Sequence, residues 1–450
     1  MKLIVDKNKF NAVLLLTFIQ ICVLLFFYFI GIISPIVIGI LFMSTYVVAN
    51  PKKLLSPRNM VFAYYMIFYF IGPMFGSKFK SYSFTSYEEK TSYLMIFVTY
   101  SICMIFLTLF ENERQKSQEI YFIKNKNNLK KTLIISIIVE FIALFFYIKK
   151  TGGISTWISN SKLAFMMRGD YGAAIEYLVF THSLFLSTSL LSVILYNSKK
   201  KIKYLFIILS FILLYPFIGS KMKVIMLILI LFGPIMLSKK TASKFTIMLL
   251  MISVFVFLIG IYQRNYTLMG SNQLIPYALN YFNTYEMLVI LVRDFEPSFM
   301  KTFLLPLNKI LMMFGTYVGL PFYDMSVWLT SIYFPSNLIY GGTQQWPIEA
   351  DMYLSFYYFL GIPMLIIYLY LISYAYNRAC HNSYGWILIY IMEFSFMVSH
   401  LRGGILIWWY FYLIPFYFLV IFIYRKIESR IDSPKIEINK TKRGESHFFL

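Results

Sequence analysis

Long apolar blocks without charge recur along the chain and limit what it can fold into. The first, Asn11–Ile30, is 20 residues long and has no charged side chain, which is enough for a helix to cross a hydrocarbon core at about 1.5 Å per residue. Hydrophobic residues make up 59% of the 450 residues and charged residues only 14%, too few charges to cover a soluble domain. The pattern therefore predicts a protein dissolved in lipid.

The number of these blocks predicts an all-α polytopic membrane protein with about 12 transmembrane helices. The first block is longer than the apolar region of a usual signal peptide and no small-x-small cleavage pattern follows it, so we interpret it as an anchor. About two thirds of the 41 Lys and Arg residues fall on the side of the N-terminus, which places both termini in the cytoplasm. The predicted spans are 11–30, 32–49, 59–75, 91–110, 132–148, 173–196, 204–218, 224–237, 245–261, 353–373, 384–400 and 404–424.

Unequal loops suggest four regions. A predicted external loop of about 90 residues, Tyr262–Met352, is long enough to suggest that it has a function. Its short apolar stretches, Leu288–Val292 and Ile310–Phe314, cannot span and instead predict amphipathic helices at the outer interface. The four regions are an N-terminal bundle of about nine spans (1–261), the large external loop (262–352), three C-terminal spans (353–424) and a charged cytoplasmic tail (425–450).

The formal net charge of +21 would suggest a nucleic-acid partner in a soluble protein. Here topology control explains it, because Lys and Arg gather in loops of one side, and we expect no nucleic acid. The three cysteines, Cys22, Cys103 and Cys380, show no pairing pattern and no Cys/His spacing typical of zinc. We expect neither a disulfide nor a metal nor another cofactor.

Isolated cations on the predicted external face need an explanation, because topology control selects against them. They could snorkel to lipid headgroups, or several could converge on an anionic substrate such as a pyrophosphate. The hairpin 204–237 has 34 residues, whereas two full spans need about 40, so its turn Gly219–Lys223 should lie below the outer surface. A cation at that depth is costly and functional by default. The candidates are Arg168, Lys221, Lys223, Arg264, Arg293 and Arg402.

Two further groups could carry chemistry. Glu349 and Asp351 stand where the long loop returns to the membrane, and they could accept a proton from a sugar hydroxyl or cap the next helix. His400 opens a glycine-rich turn, and Glu393 lies two helical turns below it on the same face. A carboxylate in mid-span must find a partner, either in the site or as a contact between helices. We interpret Glu140 and His182 as structural.

The topology, with its moderate third external loop and very large fifth one, resembles that of Wzy-type polysaccharide repeat-unit polymerases of the O-antigen polymerase/ligase superfamily. Gly219–Ser220–Lys221 resembles the Gly-Ser-Arg turn of that superfamily. Glu349-x-Asp-x-Tyr353, with Phe356 and Gly361 after it, resembles its loop-to-span re-entry, and Leu401–Arg402–Gly403 resembles its Leu-Arg-Gly turn. Lys221 departs from the usual arginine, and lysine lacks the bidentate grip on phosphate.

The resemblance implies an inverting, metal-independent glycosyltransferase at the external face of the bacterial cytoplasmic membrane. Its donor and acceptor would both be polyprenyl-pyrophosphate-linked oligosaccharides of an O-antigen, capsule or related polysaccharide. A flippase and a chain-length regulator are its implied protein partners. The leaving pyrophosphate needs positive charge, which we assign to the external cations, and the acceptor hydroxyl needs a base. The predicted catalytic residues are Glu349 and His400 as candidate bases and Arg402, with Asp351 and the other cations binding pyrophosphate or glycan.

Other classes remain as alternatives. A flippase for the lipid-linked oligosaccharide should have two similar halves and short loops, unlike this lopsided chain. A ligase of the same superfamily would use the same donor and another acceptor. Mannosyltransferase-type membrane enzymes carry acids in the first external loop, which here is Gly31–Pro35 without any. An acyltransferase would rest on the histidine alone.

Overall fold

The fold is given by a computed structural model, which is almost wholly helical where it describes the chain. The sequence positions that it describes are 7–76, 83–112, 121–123, 126–159, 163, 164, 167, 173–181, 188–199, 201–204, 206, 207, 210, 214, 229, 233, 237, 251, 274–299, 304–339, 343, 344, 346–380, 384–406 and 410–430. The α-helices are Lys7–Ile30, Pro35–Ala49, Pro57–Met66, Gly72–Phe75, Ser86–Phe110, Lys126–Lys150, Gly153–Ser159, Ala174–Val179, Ser189–Lys199, Leu274–Phe282, Tyr285–Asp294, Leu305–Leu311, Met325–Tyr333, Pro335–Ile339, Ile348–Phe356, Ile362–Ala379, Tyr384–Leu401 and Tyr410–Ile427.

Shorter elements complete this part of the chain. A π-helical turn, Ile67–Ile71, joins two α-helices, and 3₁₀ turns lie at Met312–Phe314 and Phe359–Gly361. Two three-residue strands, Tyr121–Ile123 and Glu428–Arg430, pair in antiparallel register with Tyr121 opposite Arg430.

Five described helices are long and apolar enough to cross a membrane, which supports an integral membrane protein. Two shorter apolar helices, Pro35–Ala49 and Leu413–Arg425, accompany them. Predicted spans 204–218, 224–237 and 245–261 lie almost wholly outside the described residues. The five long helices are Lys7–Ile30, Ser86–Phe110, Asn127–Lys150, Phe359–Ala379 and Tyr384–Leu401.

Central and peripheral helices differ in burial. Of the most apolar stretch, 61% is buried in helix 86–110 and 78% in helix 384–401, against 22% in helix 7–30 and 28% in helix 127–150. Large side chains such as Phe18, Phe29 and Phe145 are exposed on the peripheral helices. Exposed apolar faces of this kind suit lipid rather than water. Helix 362–379 packs against both central helices, which completes the core.

The predicted span 59–75 is helical throughout but changes its winding in the middle. Ser56 caps the helix by accepting a hydrogen bond from the Arg58 N–H, and Pro57 occupies the first turn, where its missing N–H costs nothing. The π turn at Ile67–Ile71 inserts extra backbone, a feature often found at functional sites. After it, Gly72 lies so close to helix 274–282 that a Cβ would come within 2.6 Å of the Phe282 carbonyl oxygen.

The predicted span 353–373 is not one continuous helix. Tyr357 and Tyr358 have positive φ values of 47° and 62°, so the helix ends at Phe356 and a new one begins after the 3₁₀ turn. The Tyr358 hydroxyl is buried against helix 86–110, where it donates to the Met95 carbonyl oxygen at 2.7 Å. That anchoring explains the break, since the chain must turn to bring the hydroxyl there.

The sequence predicts that Leu288–Val292 lies at the membrane interface, and the structure shows a different position. The stretch lies in helix 285–294, and Met287 through Leu291 are buried in protein. The helix packs against helix 86–110, where the rings of Tyr285 and Tyr93 stack with centroids 4.2 Å apart. These residues are therefore part of the protein core. The second stretch, Ile310–Phe314, forms the end of helix 305–311 and the 3₁₀ turn.

Candidate functional site

A buried carboxylate held by two tyrosines lies at the start of helix 348–356. Pro347 precedes the helix, and the Glu349 side chain is fully buried. The Tyr65 hydroxyl donates to Glu349 Oε1 at 2.6 Å and the Tyr69 hydroxyl donates to Oε2 at 2.7 Å. Because Tyr65 and Tyr69 are four residues apart on one helical run, both hydroxyls reach the same carboxylate.

No Lys or Arg in the described part of the chain forms an ion pair with Glu349. Burial raises the pKa of its carboxyl from the ordinary 4.5 to about 7, and the hydrogen bonds from Tyr65 and Tyr69 oppose that rise. Glu349 precedes the membrane-spanning helix 359–379. A carboxyl group with a pKa in this range is suited to accept or return a proton, and the role of Glu349 as a base stays a prediction.

Arg402 is a buried cation at the turn after helix 384–401, with 7% of its surface exposed. Its Nη1 donates to the Tyr281 hydroxyl at 2.8 Å. The guanidinium lies over the rings of Phe68 and Tyr281, 5.0 and 4.4 Å from their centroids. Within the described residues no carboxylate pairs with it, and its Nε has no hydrogen-bond partner there. The aromatic rings stabilise the cation without neutralising it.

Tyr64 joins the surroundings of Glu349 and Arg402. Its hydroxyl donates to the Leu401 carbonyl oxygen at 2.7 Å, next to Arg402 in the chain. Its ring packs between the two groups, stacked on Phe68 and edge-on to Tyr69. The helix that carries the π turn therefore supplies the residues that contact both the predicted base and the predicted cation.

Asp351 connects the loop re-entry to the glycine-rich turn. Its Oδ2 accepts a hydrogen bond from the Ile405 N–H at 3.0 Å, and its Oδ1 accepts one from the Ser355 hydroxyl at 3.0 Å. Gly404 approaches so closely that a Cβ would lie 2.9 Å from Asp351 Oδ2, and its φ is +118°. Asp351 thus holds the turn that carries Arg402, and the predicted role of Asp351 in glycan binding stays a prediction.

His400 is part of a buried chain of hydrogen bonds. Its Nε2 lies 2.5 Å from the Tyr410 hydroxyl, and its Nδ1 lies 3.2 Å from the Gly404 carbonyl oxygen. Tyr410 in turn hydrogen-bonds to Glu393 Oε2 at 3.0 Å, and the Tyr417 hydroxyl bonds to Oε1. The expectation that Glu393 finds a partner is confirmed, and that partner joins it to His400.

Arg293, the other predicted cation that the structure describes, does not join these contacts. Arg293 forms an ion pair with the adjacent Asp294, with Nε 2.6 Å from Oδ1, and it lies over the ring of Phe84. The contacts of Glu349 and Arg402 do not include it. Four other candidates lie outside the described residues, as does His182, and their roles stay predictions. They are Arg168, Lys221, Lys223 and Arg264.

The tyrosines of the site were not singled out from the sequence. Four of them, Tyr65, Tyr69, Tyr281 and Tyr410, are hydrogen-bonded to predicted site residues. The available signal was the spacing of Tyr65 and Tyr69, which places two hydroxyls on one helical face. Glu140 is buried with bonds to Ser136 and Thr188, in agreement with a structural role.

Metal ligands do not cluster among the residues that the structure describes: no three His, Cys, Asp or Glu side chains lie together there as a possible metal site. Comparison of the chain with protein-family models, with curated proteins and with solved structures found no match.

Proposed function

We propose that this protein is a polysaccharide polymerase that joins polyprenyl-pyrophosphate-linked oligosaccharide repeat units at the external face of the bacterial cytoplasmic membrane. The observation that carries the proposal is Arg402, a buried cation without a carboxylate partner among the described residues. It is linked to the predicted base through the packed rings of Phe68, Tyr64 and Tyr69. The resemblance of the Glu349 and Arg402 segments to polymerase motifs supports the same reading, because these segments meet through Asp351.

A buried cation without a counter-ion is costly, by several kcal/mol in proteins. The Phe68 and Tyr281 rings offset only part of this, since a cation–π contact contributes about 0.5–2 kcal/mol. An anionic ligand would supply the missing charge. The pyrophosphate of a polyprenyl carrier has the required charge and lies at the membrane surface, and a guanidinium can bind its oxygens in two places. Lys221, Lys223, Arg168, Arg264 and Arg293 are proposed to add to the same field.

Glu349 is the proposed general base. An acceptor sugar hydroxyl attacks the anomeric carbon of the donor chain, and the bond from that carbon to the pyrophosphate oxygen breaks. The leaving pyrophosphate keeps the electron pair, and Arg402 stabilises the developing charge. The hydroxyl proton passes to the Glu349 carboxylate, which is a stronger base than an ordinary carboxylate because burial raises its pKa to about 7. Attack from the side opposite the leaving group inverts the anomeric centre.

The proposed topology has about 12 spans, both termini in the cytoplasm and the loop 262–352 outside. It is supported by the five long apolar helices and by the distribution of Lys and Arg. Single cysteines introduced near Asn272 and Gln344 should react with an impermeant reagent added to intact cells, and one near Lys240 should not. Labelling at position 240 would overturn the external site.

The function is tested with purified protein in nanodiscs and synthetic polyprenyl-pyrophosphate-linked repeat units. Polymerisation should give a ladder of lipid-linked products that differ by one repeat unit, with one polyprenyl pyrophosphate released at each step. A ladder without released pyrophosphate carrier would contradict the proposed leaving group. In proteoliposomes, movement of the single repeat unit across the bilayer without any ladder would favour a flippase. Transfer only to a different acceptor, such as a lipid A core, would favour a ligase.

A further inference from the structure

A mid-span carboxyl group and the histidine at the turn are joined by one tyrosine. Glu393 and His400 lie on helix 384–401, and Tyr410 is the first residue of helix 410–427. The Tyr410 oxygen is 2.5 Å from His400 Nε2 and 3.0 Å from Glu393 Oε2. At the far end, His400 Nδ1 meets the Gly404 carbonyl oxygen at 3.2 Å. All three side chains are largely or fully buried.

The proton count of this chain allows two complete arrangements. The Gly404 carbonyl can only accept, so His400 Nδ1 must carry a proton. The Tyr410 hydroxyl has one proton, which it gives either to Glu393 or to His400 Nε2. In the first case Glu393 is ionised and Nε2 carries a proton that it donates to the tyrosine oxygen. In the second case Glu393 is protonated and donates to that oxygen. Every hydrogen bond is made in both arrangements.

We propose that Glu393, Tyr410 and His400 form a proton relay between the interior of the span and the turn. When a proton leaves Glu393, its O–H bond breaks as a new O–H bond forms at Tyr410. At the same time the original Tyr410 O–H bond breaks and an N–H bond forms at His400 Nε2. Two protons each move across one hydrogen bond, so that one proton is transferred in net from Glu393 to His400. No group is oxidised or reduced, and the reverse step restores the starting arrangement.

The surroundings act on the two arrangements in opposite directions. Burial without a counter-ion favours the arrangement in which both end groups are neutral. Against that, Tyr417 also donates to Glu393, so the ionised carboxylate would accept from two tyrosine hydroxyls, and hydrogen bonds to a charged group are the strong ones. The ring of Tyr368 covers the imidazole, with centroids 4.0 Å apart, and so excludes other groups from that face.

The relay ends at the turn that carries Arg402, but it does not depend on what that arginine binds. Gly404 accepts from His400, and its neighbour Ile405 donates to Asp351. A change in the proton on His400 therefore acts on the segment between the helices. Because the relay can be detected in the protein without substrate, its failure and the failure of the polymerase proposal are separate results.

The experiment places the proton by nitrogen NMR. The chain has four histidines, so the substitutions H182N, H381N and H447N leave His400 as the single one. Solid-state spectra of ¹⁵N-histidine-labelled protein in nanodiscs should show Nδ1 fully protonated. The Nε2 signal should lie between its protonated and unprotonated limits, because the proton is shared. Tyr410→Phe and Glu393→Gln should each move Nε2 to the unprotonated limit, since the supply of the proton is cut.

Tyr368→Phe is the matched control. It removes a buried hydroxyl beside His400 that has no hydrogen-bond partner among the described residues and keeps the ring, so the Nε2 signal should not move. A single Nε2 signal at either limit in the otherwise unchanged single-histidine protein would overturn the relay without any further variant. So would an intermediate signal that persists in Tyr410→Phe.

Infrared spectra give a second reading of the same proton. A carbonyl-stretching band of a protonated carboxyl group should disappear in Glu393→Gln. In Tyr410→Phe the band should become stronger than in the unchanged protein, because the proton stays on Glu393. Absence of any band that Glu393→Gln removes would show that the carboxyl is never protonated and would overturn the relay.

Discussion

Arg58 and Arg402 are both buried, but their surroundings differ. The Arg58 guanidinium forms an ion pair with Glu111 at 3.0 Å, and its Nη1 donates to the Ala49 carbonyl oxygen at 2.7 Å. Glu111 also accepts from the Ser56 hydroxyl and from the Arg58 N–H. Arg402 instead has one tyrosine hydroxyl and two aromatic rings, and its Nε has no partner among the described residues.

The difference distinguishes two roles of a buried arginine. The charge of Arg58 holds helices together, whereas the charge of Arg402 is available to bind a ligand. Arg58 stands at the start of helix 57–66 and Glu111 directly follows helix 86–110, so the pair joins two ends with nearly all donors satisfied. A buried pair adds little net stability, but breaking it is strongly destabilising. Arg402 and Glu349 are each held by tyrosines rather than by an opposite charge. That arrangement leaves both charges available to a ligand.

The largest effect is expected from Arg58→Met, which leaves the buried Glu111 carboxylate without its cation. The free energy of unfolding should fall by about 3–5 kcal/mol, measured as reversible unfolding in detergent. Glu111→Gln should be similarly harmful, whereas the double variant should recover part of the loss because no charge is left buried alone. If the two losses simply added, Arg58 and Glu111 would not act as a pair.

Arg402→Met should show the opposite pattern to Arg58→Met, with a loss of activity rather than of stability. Polymerisation should fall about 10²–10³-fold, the effect of removing one preorganised donor from a developing anion. Stability should not fall, since no carboxylate loses a partner and the cost of burying an unpaired cation is removed. Arg402→Lys should keep part of the activity because the charge remains without the fork.

Arg378→Met is the matched control for Arg402. Arg378 also lies over a tyrosine ring, that of Tyr374, and its Nε donates to that hydroxyl at 3.3 Å. It is half-buried and belongs to no part of the proposed site. Polymerisation by Arg378→Met should therefore be normal. A loss of activity equal to that of Arg402→Met would mean that any arginine–tyrosine contact is needed for folding.

Glu349→Gln should lower polymerisation about 10²-fold, at the low end of what a general base contributes. In the unchanged protein the rate should rise as pH increases through about 7, because the carboxyl becomes ionised there. The variant should lack that rise. The rate is measured on the same ladder across pH 5.5 to 8.5, as a range of roughly three units around that pKa. If the rate of the variant rose with pH in the same way, the rise would have to come from another titrating group.

The ionisation of Glu349 should also make stability depend on pH, with the opposite sign to the rate: stability should fall as pH rises. The pKa of Glu349 is raised on folding from 4.5 to about 7, so between these values the folded protein binds the proton and the unfolded chain does not. Stability then falls as pH rises through that window. Glu349→Gln should remove this part of the slope, which unfolding curves at about pH 5 and about pH 7.5, near the two ends of that window, would reveal.

The sequence predicts the long helices better than it predicts their contacts. An uncharged apolar block leaves little choice in lipid, because every backbone group must be bonded internally, and helices 86–110 and 384–401 follow from that. The rule that a carboxylate in mid-span must have a partner is equally general, and it predicts that Glu393 has one. The break at Tyr357 and Tyr358 could not be predicted, since it contains neither glycine nor proline and depends on the anchoring of Tyr358 to helix 86–110.

Partners from distant parts of the chain are the least predictable feature of the site. Glu349 and its tyrosines are separated by about 280 residues. The four-residue spacing of Tyr65 and Tyr69 places both hydroxyls on one helical face, but it does not indicate which carboxylate they contact. Asp351 has two interpretations from the sequence, a substrate ligand or a helix cap, and neither of them predicts the hydrogen bond that it accepts from the Ile405 N–H. Local rules do not contain that contact, because it forms only when the two C-terminal segments pack together.

Gly404→Ala should cost about 1–3 kcal/mol of stability, since φ is +118° and a Cβ would lie 2.9 Å from Asp351 Oδ2. Gly315→Ala separates the two causes. Gly315 has a φ of +74° and open space where a Cβ would be, so Gly315→Ala should show only the cost of the backbone conformation. A larger loss at Gly404 than at Gly315 is expected in thermal unfolding, and equal losses would mean that the turn moves away from Asp351.

The smallest effect is expected from Asp351→Asn, and it decides whether the charge of Asp351 balances that of Arg402. An asparagine can accept from the Ile405 N–H through its oxygen and donate to the Ser355 hydroxyl through its amide, so both hydrogen bonds survive. Stability should fall by less than about 1 kcal/mol.

Asp351→Ala removes both bonds and should cost about 1–3 kcal/mol. Polymerisation by Asp351→Asn should stay within roughly a factor of five of normal, about 1 kcal/mol in the barrier, if Asp351 only holds the turn. A loss as deep as that of Arg402→Met, at unchanged stability, would show that the carboxylate charge itself is needed. Arg402 would then be compensated at a distance, and its contrast with the paired Arg58 would be one of geometry rather than of charge.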